Sequence, residues 1–314
     1  MRPVKQKQIG RDTSWNNVAN WYDEYLSDVD TYQAKVILPN LLRVLALKKG
    51  DRVLDLACGQ GYFSRAMHEA GAKVIGIDAS PALIEKAKAA ERNSGRHLVS
   101  RSSGSPSVKE NFASHITYKV ATADRLDFLA AHSLDAVTIV LAIQNMENIA
   151  QVFDACAKAL KGTGRLVLVM NHPAFRIPKA SSWGWQEGRT APPYAKATEG
   201  VQYRRVDAYM SDMKVVIDMT PGQDAKSKTQ KANEMTTVSF HRPLQTYSKT
   251  LANAGFAIKR IEEWISHRES GTGPRKGAED KARKEFPLFS CSKQLIFHPS
   301  FPRRRESRIT AVAT

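Results

Sequence analysis

The 314-residue chain is 42% hydrophobic and 25% charged, a balance that excludes a disordered or fibrous protein and is enough to build a full core. No apolar run approaches the roughly 18 residues of a membrane helix. No secretory leader or metal-ligand spacing is visible, and three cysteines cannot all pair, so a reduced, cytoplasmic protein with no membrane span and no bound metal is expected. The net charge of +16 is uneven, with +5 in residues 1–170 and +11 in residues 171–314.

Residues 1–14 are polar and read as a flexible N-terminus. Over residues 15–47, Val18, Trp21, Tyr22 and Tyr25, then Val36, Ile37, Leu41, Val44 and Leu45, recur at helical spacing, and Pro39 marks a break or a first turn. Gly50 and Asp51 turn the chain into an apolar strand (Val53, Leu54, Leu56). A loop follows in which Gly59 and Gly61 leave the backbone bare, then a helix with Phe63, Met67 and Ala70 on one face. A second strand, residues 74–77, ends on Asp78. Such a βαβ unit suits a nucleotide-like ligand: the bare backbone lets it approach, and the acid after the second strand accepts hydrogen bonds from ribose hydroxyls. A dinucleotide loop would want a third glycine where Ser64 stands, and Asp55 lies where a diphosphate would have to sit. Like charges repel more strongly in a partly desolvated pocket than in water, whereas a cationic sulfonium tolerates the acid.

Ser80-Pro81 starts a helix carrying Ile84 and Ala87. Residues 93–115 form a Ser-rich surface insertion. A third strand, 116–120, leads to Ala123 and Asp124. The fourth, 134–142, is followed by a helix with Ile149, Val152, Phe153, Cys156 and Leu160, for which Lys161-Gly162 supplies a glycine stop. The fifth strand is 166–170. Residues 171–242 are rich in aromatics and turn residues, with two strand-like pieces at 213–219 and 238–240, and read as a lid insertion beside the ligand crevice. A helix with Leu244, Tyr247 and Leu251 then closes at Gly255, and 256–265 and 288–297 are the last strands, with a solvated connector and helix over 270–286. Residues 299–314 read as a disordered basic tail. The fold expected is α/β: a Rossmann-like, doubly wound, mostly parallel seven-stranded sheet with helices on both faces, N-terminal helices and a lid after the fifth strand, in one domain spanning 15–298.

Leu54-Asp55-Leu56-Ala57-Cys58-Gly59-Gln60-Gly61 resembles the first motif of class I S-adenosylmethionine (SAM) methyltransferases, with Ala57 where that motif often carries its first glycine. Residues 134–146, Phe240-His-Arg-Pro-Leu244 and Ala254-Gly-Phe256 are similar to the small-molecule, ubiquinone/menaquinone-type branch. The resemblance implies SAM as cofactor and a cofactor set of Asp55, Ala57, Cys58, Gly59, Gly61, Asp78, Ala79, Ala123, Asp124 and Leu141, with Tyr22 closing over it from the first helix. It also implies a methyl group moved by SN2 displacement to a small-molecule acceptor.

For the acceptor, Asn171, His172 and Arg176 leave the fifth strand at the carboxyl edge, where ligands of open parallel sheets lie. His172 is the candidate general base, since its ordinary pKa is near neutrality; the same residue can equally cap a strand end. Trp183, Trp185, Tyr194, Tyr203 and Tyr209 offer flat walls to an acceptor or pack the lid onto the domain. Of these Trp183, Trp185 and Tyr203, with His241, complete the candidate acceptor set. Arg204-Arg205, Lys196 and Arg189 either hold an acidic substrate or face water. The sequence Met170-Asn-His-Pro-Ala-Phe175 lacks the motif of amino-directed DNA and RNA methyltransferases, and no specific nucleic acid is expected. Two alternatives stand beside this reading: an RNA or protein methyltransferase using the basic C-terminal half, and a non-catalytic SAM-fold binding protein.

Overall fold

The computed structural model describes residues 15–100, 116–187, 200–219 and 236–297. The expected N-terminal and C-terminal tails, most of the Ser-rich insertion, and Arg189, Tyr194 and Lys196 lie outside the described residues.

Helix α1 (Trp15–Ser27) is followed by a π-helical turn (Gln33–Ile37) that runs into α2 (Leu38–Leu45), with Pro39 in its first turn, where the missing N–H costs nothing. The βαβ unit is β1 (Arg52–Leu56), α3 (Tyr62–Glu69) and β2 (Lys73–Asp78). Next come α4 (Pro81–Ser100), β3 (Thr117–Val120), β4 (Leu134–Val140), a 3-10 turn (Ile143–Asn145), α5 (Ile149–Ala159) and β5 (Leu160–Asn171). Two hairpins follow, β6 (Ser181–Glu187) with β7 (Gly200–Val206) and β8 (Met213–Asp218) with β9 (Thr236–His241). The chain closes with α6 (Leu244–Asn253), β10 (Phe256–Trp264), α7 (Lys276–Glu285) and β11 (Phe289–Ile296).

The central sheet has seven strands in the order β10-β11-β5-β4-β1-β2-β3. The pairings β1–β2, β1–β4, β2–β3 and β4–β5 are parallel, and β11 runs antiparallel between β5 and β10. This is the expected doubly wound plan, and its order reverses between β1 and β4, which opens a crevice at their carboxyl ends. Alternate strand residues feed two separate cores. Val53, Ala136, Val167 and Val169 face α2, α3 and α4, while Leu54, Val137, Leu166 and Leu168 face α5 and α6. Burial on both faces explains why these strands read as continuous apolar runs instead of alternating ones. Among the described residues no helix is long and apolar enough to cross a membrane.

Three local expectations are corrected. The helix α5 ends with Leu160 in an extended conformation and passes straight into β5, so Lys161-Gly162 begins a strand and does not form a left-handed glycine stop. The helix α4 runs to Ser100, so the Ser-rich insertion begins inside a helix. The aromatic segment after β5 contains a hairpin, β6–β7, where sequence alone gave no strand.

Gly61 caps α3 with φ 80°, and a Cβ there would lie 2.4 Å from the Tyr118 hydroxyl, which is itself buried without a hydrogen-bond partner. Gly61→Ala should therefore cost about 2–4 kcal/mol, from left-handed strain plus overpacking. Tyr118→Phe should be neutral or stabilising alone, because it removes an unpartnered hydroxyl, and should recover part of the loss in the double variant. Urea midpoints of the three variants check this.

Candidate functional site

The loop leaving β1 is shaped by two carboxylates. Asp55 is 1% exposed; its Oδ2 accepts from Ser64 Oγ at 2.5 Å and its Oδ1 from Thr138 Oγ1 at 3.1 Å. Ser64, standing where a dinucleotide loop would have its third glycine, thus serves as a donor to the acid, and Thr138 joins β1 to β4. Burial pushes the Asp55 carboxyl up to about 6, against the pull of the Ser64 and Thr138 hydrogen bonds. Asp78, at the end of β2, accepts from Gly59 N at 2.9 Å and Ser80 N at 2.8 Å. Burial raises its pKa as well, opposed by these two backbone donors.

Between these carboxylates the chain takes left-handed values at Ala57 (φ 61°), Gly59 (φ 57°) and Gly61 (φ 80°). Ala57 thus carries strain that a glycine would avoid. A Cβ on Gly59 would stand 3.4 Å from the Tyr22 ring, so α1 closes directly over the loop. Across the crevice Leu141, which follows β4, is also left-handed (φ 53°); its N–H donates to Val169 O at 2.7 Å and its carbonyl accepts from Gln144 Nε2 at 2.7 Å.

A cavity of about 390 Å³ opens here, within the size range of small-molecule sites. Ten of the eleven residues expected around a cofactor line it: Tyr22, Asp55, Ala57, Cys58, Gly59, Asp78, Ala79, Ala123, Asp124 and Leu141. Gly61 does not; it shapes the loop from behind, as the cap of α3. The lining includes four carboxylates (Asp55, Asp78, Asp124, Glu147) and, among the described residues, no Lys, Arg or His. The Thr122 hydroxyl, also in the wall, is buried without a partner.

Sequence reasoning missed Thr122, Trp15, Asn145 and Glu147 in this wall. For Asn145 and Glu147 the signal was their place just past β4, at the carboxyl edge. Arg242 was also missed: its Nη2 donates to the carbonyls of Met146 (3.0 Å) and Glu147 (2.6 Å), tying the end of β9 to the cavity lip. Lys214 of β8 reaches Glu147 at 3.3 Å.

The expected acceptor residues are not in this cavity. His172 is 7% exposed and both of its ring nitrogens are engaged: Nδ1 accepts from the N–H groups of Ala174 (3.2 Å) and Phe175 (3.3 Å), and Nε2 meets Glu263 Oε1 of β10 at 2.6 Å. Burial lowers its pKa, while Glu263 pulls the other way. With two backbone N–H groups on Nδ1, His172 has the geometry of a loop cap and stands outside the β1–β4 cavity. Asn171 ends β5 opposite Phe289. His241 Nε2 meets the Tyr209 carbonyl at 2.9 Å.

The aromatic hairpin packs mostly on itself and on α7. The Trp185 ring covers Gly200, and the Tyr203 ring covers Gly184. Arg275 lies 4.5 Å over the Trp185 ring, and Trp183 meets Phe286 edge-on. Arg176 and Trp183 of the expected acceptor set line a separate cavity.

Residues 54–168 match a family model described as a methyltransferase domain. A ubiquinone biosynthesis O-methyltransferase from Xanthomonas axonopodis pv. citri is 31% identical over 38% of this chain and 42% of its own length. The enzyme of the same description from Hahella chejuensis is 26% identical over 51% of this chain and 60% of its own length. The chain thus spans less than two thirds of the length of these curated relatives. The crystal structure of an S-adenosylmethionine-dependent methyltransferase from Mesorhizobium loti superposes with a TM-score of 0.54 at 25% identity, covering 85% of this chain and 98% of that one.

His172→Ala should lower stability by about 1–3 kcal/mol, since two backbone donors and Glu263 lose their partner, and should leave ligand binding in the β1–β4 cavity unchanged. A depressed histidine pKa stabilises the fold above its ordinary value of 6.5 and loses that contribution as pH falls. The stability gap between wild type and variant should therefore narrow below pH about 6. Denaturant titrations at several pH values, with calorimetry for binding, measure both.

Proposed function

We propose that the chain is a class I S-adenosylmethionine-dependent methyltransferase and that it transfers a methyl group from this cofactor to a small organic acceptor. The observation that carries the reading is the cavity at the carboxyl edge of β1, β2 and β4, lined by four carboxylates and by no basic side chain among the described residues. A diphosphate-bearing dinucleotide would meet repulsion there, whereas a sulfonium and an ammonium meet attraction. Asp78 and the bare Gly59 backbone would take the ribose, the unpartnered Thr122 hydroxyl and Asp124 the base, and Asp55 with the loop backbone the amino-acid end. When bound, the cofactor supplies a methyl carbon activated by the sulfonium.

What this chain's residues contribute is positioning: Leu141 and the Asn145–Glu147 turn hold one wall, Tyr22 covers the other, and holding reacting groups in line can supply about 7–11 kcal/mol of barrier reduction. No histidine or lysine of the cavity wall is needed as a base in this reading. The similarity to ubiquinone biosynthesis O-methyltransferases supports a hydroxyl oxygen on a small molecule as the first acceptor to try. Three buried free thiols support a reducing, cytoplasmic setting.

Calorimetric titration with SAM and with NAD tests the cofactor, and transfer of labelled methyl to hydroxylated aromatics tests the acceptor. SAM should bind and NAD should not; NAD binding without SAM binding would overturn the reading. Asp78→Ala should weaken SAM binding by about 1.5–3 kcal/mol, the usual cost of losing hydrogen bonds to a charged group. A bound cation favours ionised Asp55, so binding should release a proton near the pH at which the empty site titrates. With that carboxyl at about 6, affinity should rise up to about tenfold between pH 5 and 7 and then level off. Asp55→Asn should flatten this profile, which calorimetry in buffers of different ionisation enthalpy reads directly.

A further inference from the structure

A second cavity, of about 210 Å³, shares no lining residue with the first and lies under the β6–β7 hairpin. Three arginines from three elements line it: Arg176 from the loop after β5, Arg204 from β7 and Arg283 from α7, together with Tyr32, Trp183 and Ser266. Among the described residues no carboxylate comes within ion-pair distance of any of the three guanidinium groups, although ion pairs are common elsewhere in the molecule. Arg204 spends Nε on the Phe175 carbonyl (2.8 Å) and Nη2 on Ser181 Oγ (2.8 Å), and Nη1 has no hydrogen-bond partner among the described residues. Arg283 spends Nε on Ser270 Oγ (3.2 Å). The nearby Asp280 accepts from the Ser270 N–H at 2.6 Å and acts on Arg283 only from beyond ion-pair distance. Arg176 makes no side-chain hydrogen bond with any described residue, and its guanidinium lies 5.3 Å from the Phe289 ring centre. Burial, with the charge of Arg204 adding to it, lowers the Arg176 pKa.

Converging cations with no carboxylate at ion-pair distance among the described residues repel one another, and the repulsion grows where water is excluded. Each guanidinium is a planar fork matched to an oxyanion, and Trp183, already under the Arg204 guanidinium at 5.1 Å, offers a flat apolar wall beside them. We propose that this cavity is a binding site for the oxyanion group, carboxylate or phosphate, of a small organic molecule, with Arg176, Arg204 and Arg283 as its donors. Arg176 supplies the half-buried central charge, Arg204 and Arg283 the flanking contacts, and the Trp183 ring a surface for the flat part of the ligand. The site stands on its own geometry and does not depend on the methyl-transfer reading.

The test titrates the full chain with benzoate, with inorganic phosphate and with neutral benzamide, following heat and thermal midpoint. Benzoate or phosphate should bind saturably and benzamide should not; the better of the two anions identifies the ligand class. Arg176→Met, which breaks no side-chain hydrogen bond among the described residues, should weaken that binding at least tenfold, and Arg283→Met should also weaken it. SAM affinity in both variants should stay at the wild-type value, so that loss of anion binding is distinct from failure of the cofactor site. Should either variant fold poorly, phenylglyoxal labelling of the wild-type chain gives a separate readout: Arg176, Arg204 and Arg283 should be protected together by the bound anion. Absence of anion binding to the wild type, binding unchanged in Arg176→Met, or labelling unaffected by the anion would overturn the proposal.

Discussion

A single buried carboxylate organises the ligand edge of this molecule. Asp55 sits inside the crevice between β1 and β4 with one oxygen on Ser64 and the other on Thr138. Through these two bonds the start of α3 and the middle of β4 are pinned to the end of β1, and the chain between Leu56 and Tyr62 must turn with left-handed residues at Ala57, Gly59 and Gly61. Asp78 completes the frame by binding Gly59 N and Ser80 N, which joins the glycine loop to the start of α4. Burying two acids without a basic partner is unfavourable, and the raised pKa values of both express that cost. The edge is held under electrostatic tension that a cation would relieve.

The rest of the cavity is assembled around that frame by elements of different stiffness. The sheet and the α3 cap are fully packed, whereas the far lip is held by side chains. Arg242 reaches back from the end of β9 to two carbonyls of the turn after β4, and Lys214 reaches Glu147. The β8–β9 hairpin therefore acts on the ligand crevice through its base. The β6–β7 hairpin turns instead toward α7, where Trp183 and Phe286 meet and Arg275 covers Trp185. What reads in sequence as one insertion is two hairpins serving two different cavities.

The cofactor side was legible because its signals are local. Strand, bare loop, helix, strand and acid fall within 26 residues, and backbone geometry fixes where each must point. Even the departure at Ala57 is informative, since its φ of 61° is one that glycine would adopt without strain. The acceptor side was not legible, because its residues are defined by partners far along the chain. His172 has the right chemistry and position on the carboxyl edge for a base, but Glu263, 91 residues later, and two local N–H groups take both its nitrogens. Trp185 and Tyr203 look like free aromatic walls until the register of the hairpin lays each over a glycine of the opposite strand. Arg176 lines a different cavity from the one expected.

The two cavities sort charge in opposite senses within a chain of net +16. At physiological ionic strength the exterior charge is screened over about 8 Å, so a cationic cofactor responds mainly to the carboxylates that touch it. On the methyl-transfer reading proposed above, transfer would remove the sulfonium charge, and the carboxylates of the wall would then hold the product less tightly than the cofactor. A lysine or arginine in the wall would balance the buried acids and stabilise the empty fold, but it would also abolish the preference for the charged cofactor. Asp55 and Asp78, buried without a basic partner among the described residues, give the wall a preference for cations at the expense of stability when empty.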